Sequence, residues 1–434
     1  MLKKAMLNKS KIFLYCDRAI IVLLSLLIFC LPFSKAGIES FLWPAFFLFI
    51  LKRALGYRAD SLWGMLPKTG LNKALGVFIL INAVSVIFSS HFGLSMRGFF
   101  GKELKFIAVY FMLVETINSR VRLKYILIAI ISSVVLIIFD AGVQLYRGVD
   151  FLRGYTLDTF SASFSNSAGF AAWLIVIIPL FIGLIASDII PNKKLKILLS
   201  VSVVIQIFYL SRTYSRGAWL GFIIAAMIML YCFFRNSTLK GKFLFLLIFL
   251  SLLSGYLFIP PSLVVNTKEA IKKKLMFDQT ISERIKLALN TKEGSVSIRF
   301  GLWREALMIS RDYPLTGCGL NTYSVTARQY KSFDDGGTYP HNSYLQMAAE
   351  TGFFGVFAFI WILFGFFKTL LRYFNRMRDY LALGLLSGIL AFLIHAFFDV
   401  HLYSLQLAVL FWYMLGLAIA VVNLNNKERY IYEK

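Results

Sequence analysis

His341-Asn342-Ser343-Tyr344-Leu345-Gln346-Met347-Ala348-Ala349-Glu350-Thr351-Gly352-Phe353-Phe354-Gly355 runs directly into the apolar stretch 356–367. Before it lies a long, basic, polar segment. Such a stretch is a junction between a water-exposed loop and a membrane helix. It sets a titratable His and small polar residues at that boundary. A His so placed can meet water-borne substrates while its neighbours are held at the bilayer.

The rest of the chain has the matching composition. Of its 434 residues 59% are apolar and 16% charged, with a mean hydropathy of +0.72. Soluble domains have roughly 45–50% apolar and about 25% charged residues. The excess comes in runs of roughly 17–25 apolar residues, the length that spans a hydrocarbon core as a helix. The expected fold class is an all-α polytopic integral membrane protein with about twelve transmembrane helices and one long, partly helical outer loop. The spans are expected to start near Ala19, Ile38, Ala74, Leu104, Tyr125, Ala168, Leu195, Gly217, Phe243, Ser343, Tyr380 and Leu402. Residues 1–260 form an N-terminal bundle, 261–340 the loop with amphipathic helices, and 341–434 the last three spans. The first apolar run, Ala19–Leu31, lacks a small-residue cleavage pattern, so it reads as a retained helix rather than a signal peptide.

Net charge is +24. Lys and Arg concentrate in loops on the cytoplasmic side of membrane proteins. A cytoplasmic N-terminus puts more than half of the 46 Lys and Arg residues inside, including Lys52, Arg53, Arg120, Arg122, Lys193, Lys194, Arg372 and Arg376. Both termini are then cytoplasmic. The basic residues are scattered over short loops, which speaks against a nucleic-acid partner. Cys16, Cys30, Cys232 and Cys318 have no paired spacing and indicate neither a disulfide framework nor a metal site.

This topology gathers the polar candidates on the outer face: Arg212 and Arg216, the loop from about Pro261 to Pro340, His341, and Asp399 with His401. Within the loop, Lys268–Asn290 is charged and helical in character. Gly294–Arg311 places Ile298, Leu302, Ala306 and Ile309 at helical spacing. Asp312-Tyr-Pro314-Leu-Thr-Gly317-Cys-Gly319 then reads as a helix stop followed by turns.

Arginine offers a rigid fork of donors that pairs bidentately with phosphate. An isolated arginine near a membrane boundary is ordinarily an interface anchor. Arg216, between Ser215 and Gly217, allows close backbone approach by a ligand. Arg299 shares a helix face with Trp303 four residues on, either as a stacking pair or as a second phosphate clamp. His ordinarily titrates near pH 6.5, so His341 can accept a proton from a hydroxyl; the Asn342-Ser343 step favours a helix start there. No HExxH, CxxC or nucleotide-binding loop is present. Ionisable residues deep within the spans are scarce, which argues against ion-coupled transport. The residues alone thus point to an outer-face site, without metal or cofactor, suited to an anionic, diphosphate-bearing lipid with a polar cargo.

These residues resemble the O-antigen ligase/polymerase superfamily of bacterial membrane glycosyltransferases, and ligases most. Three blocks carry the resemblance: Thr213-Tyr-Ser215-Arg216-Gly217-Ala-Trp219; Ser297-Ile-Arg299-Phe-Gly-Leu-Trp303 with Asp312 to Gly319; and His341-Asn342 followed by Gly352-x-x-Gly355. The resemblance implies an inner-membrane enzyme acting in lipopolysaccharide biosynthesis. Its donor would be a glycan on undecaprenyl diphosphate, its acceptor lipid A–core, and its reaction an inverting, metal-independent transfer on the periplasmic face. It implies that Arg216 and Arg299 contact the diphosphate and that His341 activates the acceptor. Arg212, Trp303, Asn342 and Asp399 are expected to bind substrate. A repeat-unit polymerase of the same superfamily is the nearest alternative, a membrane transporter a more distant one.

Overall fold

The computed structural model describes residues 2–56, 66–154, 160–236, 295–331 and 339–432. All regular elements among them are helical. In chain order they are α1 (Leu2–Cys30), α2 (Lys35–Gly56), α3 (Asn72–Ile87), α4 (Phe92–Gly98), α5 (Leu104–Thr116), α6 (Arg120–Arg147), α7 (Ser167–Ala186), α8 (Lys193–Arg212), α9 (Arg216–Asn236), α10 (Ser295–Asp312), α11 (Tyr323–Thr326), α12 (Ser343–Met377), α13 (Tyr380–His395) and α14 (Leu405–Tyr432). A π-helical turn, Phe99–Glu103, joins α4 to α5. Without water to hydrogen-bond it, backbone in a bilayer satisfies itself within helices.

Seven described helices are long and apolar enough to cross a membrane, and α3 and α13 are apolar but shorter, at 16 residues each. This is a polytopic membrane protein. The expected span near Leu104 is a helix of 13 residues, because the preceding turns are spent on α4 and the π-turn. The expected span near Phe243 and the helix Lys268–Asn290 lie outside the described residues.

Short polar residues start the helices. Ser119, Asn166, Asn192, Asn342 and Asp379 each accept hydrogen bonds from first-turn N–H groups of the helix that follows. The apolar part of α14 is almost wholly buried and packs on α5. α13 lies between α7 and α9. Small residues permit that contact: a Cβ at Gly384 would sit 2.5 Å from the carbonyl oxygen of Pro179, and one at Gly221 2.5 Å from that of Ala391. Close backbone approach of this kind is the usual way helices associate in lipid.

The two ends of the bundle differ. At one, Lys52 and Arg53 of α2 pair with Asp17 of α1 and Glu115 of α5. At the same end Asn425 of α14 hydrogen-bonds Asp379, which caps α13. The opposite end carries the turn between α8 and α9, the start of α12 and the segment between α13 and α14.

α12 is not one continuous helix. Gly352 breaks it with φ +69° and ψ −179°. Into the break fits the loop that follows α10. Phe353 N–H donates to Pro314 O, Cys318 N–H to Ala349 O, and Gly319 N–H to Glu350 O. The Glu350 carboxylate accepts from the N–H groups of Asn321 and Tyr323 and from the Gln346 side chain. α10 seats Ala306 and Ile309 on Cys318, Tyr323 and Ala349. Ile298 is the exception to its expected apolar stripe and is exposed, because it lies on the first turn of α10, ahead of the buried patch from Leu302 to Ile309.

Candidate active site

His341 occupies a left-handed backbone conformation, φ +47°, immediately before the cap of α12. Asn342 caps that helix, its side-chain oxygen accepting from Tyr344 N–H (2.9 Å) and Leu345 N–H (3.0 Å). Ser343 ties the same turn to the segment after α13: its N–H donates to Ala396 O and its hydroxyl to Asp399 O, each at 2.9 Å. The helix start is thus fastened to residues 396–399, and His341 meets Asp399.

His341 Nδ1 lies 3.1 Å from Asp399 Oδ1. The same carboxylate oxygen accepts from Val400 N–H at 2.8 Å. The His341 side chain is 44% exposed, that of Asp399 16%. Burial by itself would raise the carboxyl's pKa. The His341 hydrogen bond, the neighbouring His401 and the Val400 N–H outweigh it and hold Asp399 well below the usual carboxylate range. An ionised Asp399 accepts, so His341 carries its proton on Nδ1 when neutral and presents the lone pair of Nε2. That is the arrangement of an oriented general base.

Behind this pair lies a second set of side chains. His401 Nε2 is 3.0 Å from His395 Nδ1, and His395 Nε2 is 3.1 Å from Ser215 Oγ. The histidines are 3% and 2% exposed. Burial, aided by His341 and opposed by Asp399, takes His401 down to about 4, so it is neutral near pH 7. Ser215 precedes Arg216, the first residue of α9. Gly217 makes this approach possible: a Cβ there would lie 2.9 Å from Phe398 Cβ and 3.0 Å from His395 Cδ2.

Arg216 is exposed, and Arg299, on α10, is half-buried and within electrostatic range of His395. Among the described residues neither guanidinium has an ion-pair partner. Arg216, Arg299, an oriented imidazole and a carboxylate thus lie at the same end of the bundle. Arg212 is half-buried with its guanidinium carbon 6.0 Å from the Tyr214 ring centre. Tyr214 itself takes φ +53°, which turns the chain sharply between α8 and α9. Trp303 is half-buried and makes its ring contact with Phe300 rather than Arg299. No group of three or more His, Cys, Asp and Glu side chains spaced to hold a metal occurs among the described residues.

The topology read from Lys and Arg content put Asp399 on the same side as His341, but gave no sign of the contact between them. Sequence reasoning missed His395, which ends an apolar helix and has no motif around it, and it did not foresee that Glu350 organises the loop bearing Gly317 and Gly319. The polar pair Asp399–His401, four and six residues beyond His395, was the available signal.

Comparison with curated proteins found no match for this chain. Residues 201–360 match the family model Wzy_C, described as O-antigen ligase. The match runs from α8 into α12 and takes in Arg212, Arg216, Arg299, Trp303, His341, Asn342 and both glycines of Gly352-x-x-Gly355. His395, Asp399 and His401 lie beyond it. The similarity to the O-antigen ligase family thus covers residues 201–360 of this chain.

Proposed function

We propose that this protein is an O-antigen ligase of the bacterial inner membrane, with both termini cytoplasmic and its site facing the periplasm. It transfers glycan from undecaprenyl diphosphate to a sugar hydroxyl of lipid A–core. The observation that carries the reading is the meeting of the His341–Asp399 pair with the start of α9, through Ser215, His395 and His401. That meeting sets a base for an acceptor beside two guanidiniums for a leaving group.

In the proposed reaction Arg216 and Arg299 bind the donor diphosphate. His341 Nε2 takes the acceptor hydroxyl's proton as that oxygen attacks the anomeric carbon. The bond from that carbon to the diphosphate oxygen breaks, and its electron pair leaves with the diphosphate. Attack opposite the leaving group inverts the anomeric centre. Guanidiniums stabilise the charge that develops on the departing oxygen, the kind of fixed electrostatic help that commonly dominates catalysis. Asp399 orients His341 and balances the imidazolium. Arg212 and Trp303 border the donor, and Asn342 holds the base's turn in place.

A repeat-unit polymerase of the same superfamily would use the same groups on a different acceptor. A lipopolysaccharide gel of the native host carrying His341→Ala separates the two. Bare lipid A–core with polymer stranded on its lipid carrier is the expected result. Core bearing a single repeat would assign chain growth instead. An unchanged ladder would overturn the reading.

A further inference from the structure

The buried pair His395–His401 has no task in the reaction just described. Both rings are almost wholly out of solvent, and each spends a ring nitrogen on the other. His395 gives its second nitrogen to Ser215 Oγ. Two buried imidazoles cost more to fold than an apolar pair of similar size unless their hydrogen bonds are satisfied. Their placement therefore calls for a reason beyond packing.

Ser215 stands where a helix cap would. Its carbonyl oxygen accepts from Trp219 N–H, as the residue before a first turn does. A serine there ordinarily turns its hydroxyl onto the helix's own N–H groups. Here the hydroxyl is turned to His395 instead. It sits next to Arg216 and against a histidine that feels the charge of Arg299.

We propose that Ser215 is a further diphosphate-binding residue, its hydroxyl held as a donor by the chain His401–His395–Ser215. His401 Nε2–H donates to His395 Nδ1, His395 Nε2–H donates to Ser215 Oγ, and Ser215 O–H donates to a diphosphate oxygen. Each neutral imidazole carries one N–H, so one choice of tautomer fixes the direction of the whole chain. Without an anion the chain can also run the other way, with Ser215 donating to His395. An anion between Arg216 and Arg299 selects the outward direction. Aligned hydrogen bonds polarise one another, which strengthens the last donor. This inference rests on the proposal that the two arginines hold a diphosphate.

Geranylgeranyl diphosphate, which has the lipid and the diphosphate but no sugar, is the probe. It would be titrated into the purified full-length protein in detergent. Hydrogen bonds to charged groups are worth roughly a 10- to 100-fold change in binding, so Ser215→Ala is expected to weaken binding about 10-fold or more. Ser215→Thr, which keeps the hydroxyl, is expected to stay close to the parent. The chain has four histidines, which makes ¹⁵N-histidine spectroscopy tractable. Adding the probe is expected to put the His395 proton on Nε2 in the parent and to leave that signal unmoved in Ser215→Ala. Ser215→Ala binding as tightly as the parent would overturn the proposal, as would a His395 Nε2 that stays unprotonated in the complex. If Arg216→Ala weakens binding while Ser215→Ala does not, Ser215 alone is wrongly assigned. If neither weakens it, the diphosphate site itself is refuted.

Discussion

Replacing Asp399 with Asn separates two contributions that a carboxylate can make to a neighbouring histidine. One is orientation, the other is charge. A single oxygen, Oδ1, accepts from both Val400 N–H and His341 Nδ1. An Asn with its amide oxygen in that position keeps both hydrogen bonds and so keeps the tautomer. What it loses is the negative charge beside an imidazole that turns positive as the acceptor's proton arrives. Two unit charges about 4 Å apart interact by about 1 kcal/mol in water and about 4 kcal/mol at an effective dielectric constant of 20. His341 is 44% exposed, which puts the loss in the lower half of that range. The expected effect is a fall in the transfer rate of roughly 5- to 60-fold, at about 1.4 kcal/mol per factor of ten. His341→Ala removes the base itself, and general-base catalysis contributes roughly 10²- to 10⁴-fold. The double variant His341→Ala/Asp399→Asn should be no slower than His341→Ala alone, because the pair acts as a unit. The assay is single-turnover transfer from a lipid-diphosphate-linked glycan to lipid A–core by purified protein in nanodiscs. Parent-like turnover of Asp399→Asn would refute the coupling. A loss as large as that of His341→Ala, in a folded variant, would refute the argument from the shared oxygen and assign Asp399 to orientation.

Arg216→Lys should lose most of its transfer activity, because an ammonium cannot reproduce a bidentate contact; near-parental turnover would leave only a requirement for positive charge. Transfer should persist in EDTA, since two guanidiniums are proposed to take the leaving group's charge, and activity lost to chelation and restored by magnesium would overturn that assignment. The buried His401 makes stability depend on pH. Its folded pKa of about 4 lies below the ordinary 6.5, so the unfolded chain binds the extra proton between those values. Stability should fall by about 3 kcal/mol as pH drops from about 6.5 to about 4, seen as thermal unfolding in detergent, and His401→Gln should flatten that slope. Gly352→Ala forces a side chain onto φ +69° with its Cβ 2.3 Å from Leu315 O. It should cost about 3 kcal/mol or more, measured by thermal unfolding, and an unchanged midpoint would count against the break as drawn.

Much of the fold was legible because membranes impose a simple rule. Apolar length marks a span, and helices begin at or near most of the expected starts within the described residues. What the length rule missed is where helices are cut short or broken. The π-turn before α5 and the break at Gly352 depend on partners distant in sequence: Gly98 faces Asn321, and Gly352 faces Leu315. No local pattern of hydropathy records such contacts. The candidate site divides in the same way. Arg216, Arg299 and His341 stand out because charged and titratable groups near apolar segments are costly and hence informative. Asp399 stood out only through topology. His395 did not stand out at all, because a histidine at the end of an apolar helix looks like any interfacial residue until its partners are known.

The glycine motifs take a different meaning once the packing is known. Gly317 and Gly319 of the loop and Gly352 of the helix are read in the sequence as separate marks, more than thirty residues apart. In the structure the loop and the helix break are two halves of one contact. A Cβ at Gly317 would lie 2.2 Å from the Glu350 carbonyl, and one at Gly352 2.3 Å from the Leu315 carbonyl. The backbones touch because neither side has a side chain in the way. That contact fixes α10, which carries Arg299, against α12, whose first turn follows His341. Arg299 thus owes its place near His395 to glycines that meet no substrate. A substitution at Gly317 or Gly352 should accordingly reach transfer through Arg299, by displacing a charge rather than by removing one. The residues that confer chemistry and those that confer geometry sit in the same motifs here, and only the packing tells them apart.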